Sequence, residues 1–218
     1  MNIEINNDIK TNGCFTDFLN EDDNLKLRNI YNKFSNDEFK NACHTNYKDG
    51  YTYNTSFEEL SDIKEKVLEY QTEHLNVMQY WYFNSDTKFS NEDIFNLNQI
   101  ISKIIKDAYP DDVLKLYDTP NHISYTMFDK GCYIQYHSDG ASGLRLCNVL
   151  FYLNDDYLPG YGGELVINDN IVIRPQFGRY AIIDFYYVNP PHKVNPIIVD
   201  NFQRKAFVVS IPILQSNN

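Results

Sequence analysis

The period of the apolar positions changes near residue 120. Before that point they recur at steps of three and four, the spacing that lines one face of a helix. Residues 21–40 carry Leu27, Ile30, Tyr31 and Phe34 in this way, with polar residues between them. Residues 58–80 carry Leu60, Ile63, Val67, Tyr70, His74 and Val77. A third helix is predicted to start at Ser90, because Ser90-Asn91-Glu92-Asp93 has capping-box spacing, with Asp in place of Glu or Gln. Its apolar face would be Ile94, Leu97, Ile101, Ile104, Ile105 and Ala108, and Pro110 stops it.

After residue 120 the runs are short, β-branched and aromatic, with turn residues between them. Strands are predicted over 123–128, 133–137, 146–153, 164–168, 171–174, 180–187, 193–194 and 205–213. The turns are Asp129-Lys130-Gly131, Ser138-Asp139-Gly140, Pro159-Gly160-Tyr161-Gly162-Gly163 and Asn189-Pro190-Pro191. No helix-length pattern interrupts these strands, which argues against a parallel βαβ sheet and for a sandwich, jelly roll or barrel. The expectation is a single domain over residues 1–218 of α+β class. A helical part over about 1–120 would pack on a β core over about 121–213.

Composition narrows the function classes. Aromatics make up 15% of the 218 residues and hydrophobic residues 43%, enough for a substantial core. With 30 acidic against 19 basic residues the net charge is −11, which repels a phosphate backbone and an acidic membrane surface alike. No nucleic-acid or membrane partner is therefore expected. No apolar run approaches the roughly 18 residues of a membrane helix, and Met1-Asn2-Ile3-Glu4 does not open a signal peptide. Cys14, Cys43, Cys132 and Cys147 form no Cys-x-x-Cys pair and read as thiols of a reducing compartment. A cytoplasmic or otherwise intracellular location is expected.

With only five histidines, each can be weighed. His44, His74 and His122 have no partner at a telling spacing, and His74 reads as a core histidine. His137 and Asp139 stand two apart at a strand end, so both can face one point. Alone, the pair is a weak signal, since a strand end with a solvated Asp is common. His192 lies 55 positions further on, a distance that a rolled sheet can return to the first pair. Two imidazoles and a carboxylate on one face of a metal leave open positions, as in non-haem Fe(II) oxygenases. Arg204 opens the apolar final strand, where a buried cation needs an anion and where a guanidinium fork suits a carboxylate.

The order His-x-Asp, distant His, then Arg carries a resemblance that none of its parts carries alone. Residues 121–213 resemble the catalytic core of the 2-oxoglutarate- and Fe(II)-dependent dioxygenases, in the prolyl 4-hydroxylase-like branch. The supporting segments are Gly131-Cys132-Tyr133-Ile134-Gln135-Tyr136-His137-Ser138-Asp139, Leu150-Phe151-Tyr152-Leu153-Asn154, Gly162-Gly163-Glu164-Leu165, Pro175-Gln176-Phe177-Gly178-Arg179, His192-Lys193-Val194-Asn195-Pro196 and Arg204-Lys205-Ala206-Phe207. The resemblance implies a double-stranded β-helix, or jelly roll, buttressed by the N-terminal helices. It implies Fe(II) held by His137, Asp139 and His192. It also implies 2-oxoglutarate with its far carboxylate on Arg204 and Tyr152, and Leu165 lining that pocket. O2 is the co-substrate, and ascorbate is admitted as an auxiliary reductant.

The implied activity is hydroxylation of a prolyl residue in a peptide or protein, with release of succinate and carbon dioxide. A free amino acid is the alternative substrate, and a non-catalytic metal- or ligand-binding β-barrel the alternative class. Arg145, six residues after Asp139, sits near where some relatives contact a peptide substrate. Lys205 rivals Arg204 as anchor. Parity favours Arg204, which alternates with Ala206, Val208 and Ser210, while Lys205 alternates with the bulkier Phe207, Val209 and Ile211. Ser210 stands where the family often has Trp. Tyr125 and Tyr133 compete for a tyrosine the family often places just before His-x-Asp, and Tyr133 and Tyr136 are candidates to shield the reaction centre.

Overall fold

The computed structural model describes residues 8–34, 42–47, 52–55, 75–82, 89–114, 122–139 and 145–213. The N-terminal elements are α1 (Ile9–Asn12), β1 (Cys14–Phe18), α2 (Glu21–Tyr31), β2 (Ala42–Tyr47), β3 (Thr52–Thr55), β4 (Leu75–Tyr82), α3 (Asn91–Ala108) and α4 (Asp111–Leu114). Then follow β5 (His122–Phe128), β6 (Tyr133–His137), β7 (Arg145–Tyr152), β8 (Leu165–Ile167), β9 (Ile171–Ile173), β10 (Arg179–Asp184), β11 (His192–Val194) and β12 (Arg204–Pro212).

Strands β5 to β12 form a jelly roll of two antiparallel layers. One layer runs β10-β7-β12-β5 and the other β6-β11-β8-β9. β4 joins the layers by pairing with both β5 and β6, and β1 extends the first layer beside β10. Alternation along the strands makes two cores. Val149, Phe151, Ile182, Phe207, Val209 and Ile211 face the helices, packed on Leu27 and Ile30 of α2 and on Leu97, Ile100, Ile101, Ile104 and Ile105 of α3. Residues of opposite parity, among them Leu150, Tyr152, Leu165, Ile183, Val194 and Ala206, face the space between the layers. The helices thus stiffen one layer from outside and leave the interior of the roll to the site. No helix among the described residues is long and apolar enough to cross a membrane.

Helix α3 starts at the Ser90 cap as expected, with both bonds of the capping box to Asp93 present. Ile94 is a correction: it is exposed, and Ile100 takes its place in the buried stripe. The buried side chain of that first turn is Asp93, which accepts from Ser90 and from the Lys33 ammonium at 2.6 Å. Helix α2 ends at Tyr31, earlier than the pattern predicts, and Phe34 packs beyond it as a ring among Phe89, Tyr125 and Phe207.

A larger correction concerns the first half of the chain, which is not purely helical. Residues 75–82 are a strand, although the steps through Val77 matched a helix. Their run Val-Met-Gln-Tyr-Trp-Tyr suits a pleated surface, and pairing with Met127 and Ile134 decides the conformation. The remainder of the helix expected over 58–80, His74 included, lies outside the described residues. His44 falls within β2 and His122 opens β5.

Candidate metal centre

His137 is the last residue of β6 and His192 the first of β11, and the two are direct partners in the ladder. Cross-strand partners stand side by side on one face, and the ring centroids are 4.5 Å apart. Asp139 follows two residues after His137. Its Oδ1 lies 3.5 Å from His137 Nε2 and its Oδ2 3.9 Å from His192 Nε2. One ligand atom from each of the three lies within 4.8 Å of the others. Ligand atoms about 2.1 Å from one ion stand roughly 3 Å apart at right angles, so small rotations would close the set around a metal.

The state of these groups suits that role. His192 is buried, and its Nδ1 lies 3.0 Å from the Pro190 carbonyl. A carbonyl only accepts, so Nδ1 carries the proton and the Nε2 lone pair faces Asp139. Burial, reinforced by His137, lowers the His192 pKa below the ordinary imidazole value, against the opposing pull of Pro190 and Asp139. Burial pushes Asp139 up, but His137, the charge of His192 and the charge of Arg145 outweigh it and hold the carboxyl below its usual range. The result is a neutral imidazole and an ionised carboxylate, the forms that bind metals.

The triad opens onto a cavity of about 470 Å³ between the layers. Its walls include Phe128, Leu150, Leu165 and Val194, with Ser124, Thr126, Asn148 and Ser210 as neutral polar groups. Arg204 lies on the same wall, only 2% exposed. Its Nε donates to the Gly163 carbonyl at 2.9 Å, whereas the buried Nη2 meets no anion, the neutral Tyr152 hydroxyl being the polar group beside the guanidinium. The guanidinium rests against the rings of Phe128 and Tyr152. Gly163 makes this possible: at φ +80° it takes a conformation that side chains avoid, and a Cβ there would stand 3.2 Å from Arg204 Cδ. A buried cation with an idle donor is costly unless an anion completes it.

Of the other sequence-derived candidates, Leu165 lines the cavity and Arg145 sits at its exposed rim. Tyr152 lies behind the cavity wall, fully buried, its hydroxyl beside the Arg204 guanidinium. Lys205 points the opposite way, its Nζ 3.5 Å from the Tyr31 hydroxyl. Neither Tyr125 nor Tyr133 lines the cavity. Tyr125 belongs to the helix-facing core, and Phe128, three residues on, holds the wall position. Tyr136 is 43% exposed and shields nothing inside the roll.

Sequence reasoning missed Asn148, which donates to Asp139 Oδ2 at 3.3 Å, and Asn189, which donates to the Asp139 carbonyl at 2.7 Å. It also missed Asp184, whose carboxylate accepts from the backbone of Tyr186, Tyr187 and Val188 and so turns the chain toward His192. The strand predicted over 180–187 has Asp184 inside it, whereas β10 ends at this residue.

A dicarboxylic keto acid meets what it requires here: a metal triad, an apolar-walled cavity, and a buried guanidinium with a free N–H. Residues 122–210 match the family described as "2OG-Fe(II) oxygenase superfamily", less than half of the chain. Among curated proteins, no sequence matches the chain. Similar solved structures include a prolyl hydroxylase from Trichoplax adhaerens in complex with a hypoxia inducible factor oxygen degradation domain peptide fragment (17% identity, TM-score 0.64, 94% of this chain and 86% of that one). A Pseudomonas putida prolyl-4-hydroxylase aligns at 15% identity and TM-score 0.55, over 94% of this chain and 95% of that one. A 2OG-Fe(II) oxygenase family oxidoreductase from Burkholderia pseudomallei aligns at 14% and 0.57, over 94% and 87%. At these identities the likeness is one of fold. Residues 122–210 thus carry a 2OG-Fe(II) oxygenase match on a jelly roll that is prolyl hydroxylase-like in fold, and its His-Asp-His cluster suits Fe(II) and 2-oxoglutarate with O2.

Proposed function

We propose that the protein hydroxylates a prolyl residue in a peptide or protein, with Fe(II) held by His137, Asp139 and His192. One observation carries the reading: the idle, buried guanidinium of Arg204 lines the same cavity as the triad. In this reading His137 and His192 present their Nε2 atoms and Asp139 one carboxylate oxygen. Arg204 Nη2 holds the far carboxylate of 2-oxoglutarate, and Tyr152, behind the wall, backs the guanidinium instead of reaching the ligand itself. Leu165, Phe128 and Val194 keep water from the span between the two ends. When bound, iron with 2-oxoglutarate and O2 supplies the oxidation that inserts one oxygen atom into a C–H bond, the keto acid leaving as succinate and carbon dioxide. Residues 1–218 would act as a single catalytic domain, its N-terminal helices holding the first layer rigid.

A peptide substrate is supported by the fold shared with the Trichoplax prolyl hydroxylase, which was solved with a peptide. The exposed position of Arg145 at the cavity rim agrees with it, since a polypeptide could reach that side chain. Incubation with Fe(II), 2-oxoglutarate, air and a panel of proline-containing peptides and free amino acids tests the proposal. A gain of one oxygen atom on a peptidyl proline is expected, with succinate in equal amount. Oxygen gained only by free amino acids would overturn the substrate, and absence of succinate under every condition would overturn the activity.

A further inference from the structure

The run Leu146-Cys147-Asn148-Val149-Leu150-Phe151 places one amide in an otherwise apolar central strand. A polar group there needs partners, because a buried amide without them is costly. The ladder supplies the first. Asn148 lies directly opposite Ser210 on β12, and the Ser210 hydroxyl donates to Asn148 Oδ1 at 2.9 Å. With its carbonyl so engaged, the amide has its NH2 group free, and Nδ2 donates to Asp139 Oδ2 at 3.3 Å. The chemistry fixes this orientation independently, because an ionised carboxylate only accepts. Meanwhile Asn189 Nδ2 holds the Asp139 backbone carbonyl at 2.7 Å. The residue is thus gripped at main chain and side chain by two different asparagines.

We propose that Asn148, oriented by Ser210, is a positioning residue that occupies one carboxylate oxygen of Asp139 and leaves the other for the metal. The proposal rests on the iron reading given above. Its consequence is one of counting. Two imidazoles and a one-oxygen carboxylate fill three of the six positions of an octahedral ion. A chelating keto acid, with O2, would need the positions that the protein leaves open. A carboxylate free to turn and bind through both oxygens would take one of those positions. The Ser210–Asn148 pair prevents that turn and holds the metal-facing oxygen in place beforehand, so that without it metal binding must also order Asp139. Hydrogen-bond donors to a metal's ligands typically change its affinity ten- to hundredfold.

The test uses the full chain freed of metal and titrated with Mn(II), the unbound ion being read by its electron paramagnetic resonance signal, so that turnover plays no part. Asn148→Leu, of similar size but without either hydrogen bond, is expected to weaken Mn(II) binding by about tenfold or more. Ser210→Ala should weaken it several-fold, and Ser210→Thr, which keeps the hydroxyl, should stay within twofold of wild type. In the Asn148→Leu background, Ser210→Ala should add nothing, a pattern that general loosening of the core would not give. Mn(II) affinity within twofold of wild type in Asn148→Leu would overturn the proposal, as would a Ser210→Ala effect that is equal in both backgrounds. Should Asn148→Leu not fold, the contrast between Ser210→Ala and Ser210→Thr decides, equal affinities counting against it. A wild-type chain that binds no Mn(II) would instead overturn the metal reading itself.

Discussion

Replacing Arg204 by Met should move stability and ligand binding in opposite directions. Met keeps the apolar stem of the side chain and removes the charged end. In the chain without ligand, the guanidinium is 2% exposed, makes one hydrogen bond through Nε to Gly163 and leaves Nη2 idle. Exchange of a buried, poorly compensated ion for an apolar side chain commonly gains about 1–4 kcal/mol, and loss of the bond to Gly163 returns about 1–2 of that. The net expectation lies between about −1 and +3 kcal/mol, so that Tm changes little or rises, by up to roughly 12 °C for a chain of this size. With 2-oxoglutarate bound, the same group would make at least one charge-assisted hydrogen bond in a dry site, and its loss costs about 2–4 kcal/mol. That corresponds to a Kd for 2-oxoglutarate weaker by about 30- to 900-fold. Calorimetric melting without ligand and anaerobic titration with 2-oxoglutarate measure the two effects. A melting temperature lowered by several degrees together with unchanged 2-oxoglutarate affinity would refute the assignment and make Arg204 a structural residue.

Other outcomes follow from the same geometry. Lys205→Ala should leave 2-oxoglutarate affinity within about twofold, because its ammonium faces Tyr31 on the far side of the layer; a larger loss in the same titration would reverse the choice of anchor. Gly163→Ala forces a side chain to φ +80° and against Arg204 Cδ, and should weaken 2-oxoglutarate binding about tenfold or more with Mn(II) affinity nearly unchanged. Burial pushes Asp93 up, but Lys33 and Ser90 outweigh it and hold its pKa below 3.8. Its stabilising effect is therefore full above that pH and is lost as pH falls through the folded value. Asp93→Asn should cost about 1 kcal/mol at neutral pH and flatten the acid limb of the stability curve, an effect that denaturant melts at pH 3 and pH 7 would detect. Burial raises the thiol of Cys14 to about 12 and that of Cys147 further, so a disulfide reagent at pH 8 should modify both only at the rate of unfolding. Prompt labelling of either, mapped by mass spectrometry, would contradict their burial.

The triad was legible because strand chemistry is simple. A His-x-Asp pair at a strand end faces one way, and the turn residues between the strands showed that the sheet rolls. Parity along β12 put Arg204 and Lys205 on opposite faces before any contact was known, since consecutive residues of a strand point to opposite sides. What stayed hidden depends on pairing between distant strands. Val77 met a helical period, yet residues 75–82 pair with β5 and β6, and sheet hydrogen bonds over long separations leave no local trace. Ile94 fits the apolar stripe of α3 on spacing alone. Its turn is held by a buried Asp93, which no hydrophobic pattern reveals. Asn148 is intermediate: an amide inside an apolar strand signals a polar interior, but only the register against Ser210 shows what it serves. Tyr125 and Tyr133 fail for a related reason, because a shift of one strand residue moves a ring to the opposite face.

The most direct measurement is an anaerobic visible titration of the metal-free chain with Fe(II) and then 2-oxoglutarate. If His137, Asp139 and His192 hold iron and Arg204 holds the far carboxylate, a weak charge-transfer band grows with both additions and saturates at one equivalent of each per chain. It should be lost in Asp139→Ala. A chain that gives no band with both present, or an equal band after Asp139→Ala, contradicts an iron centre at these residues.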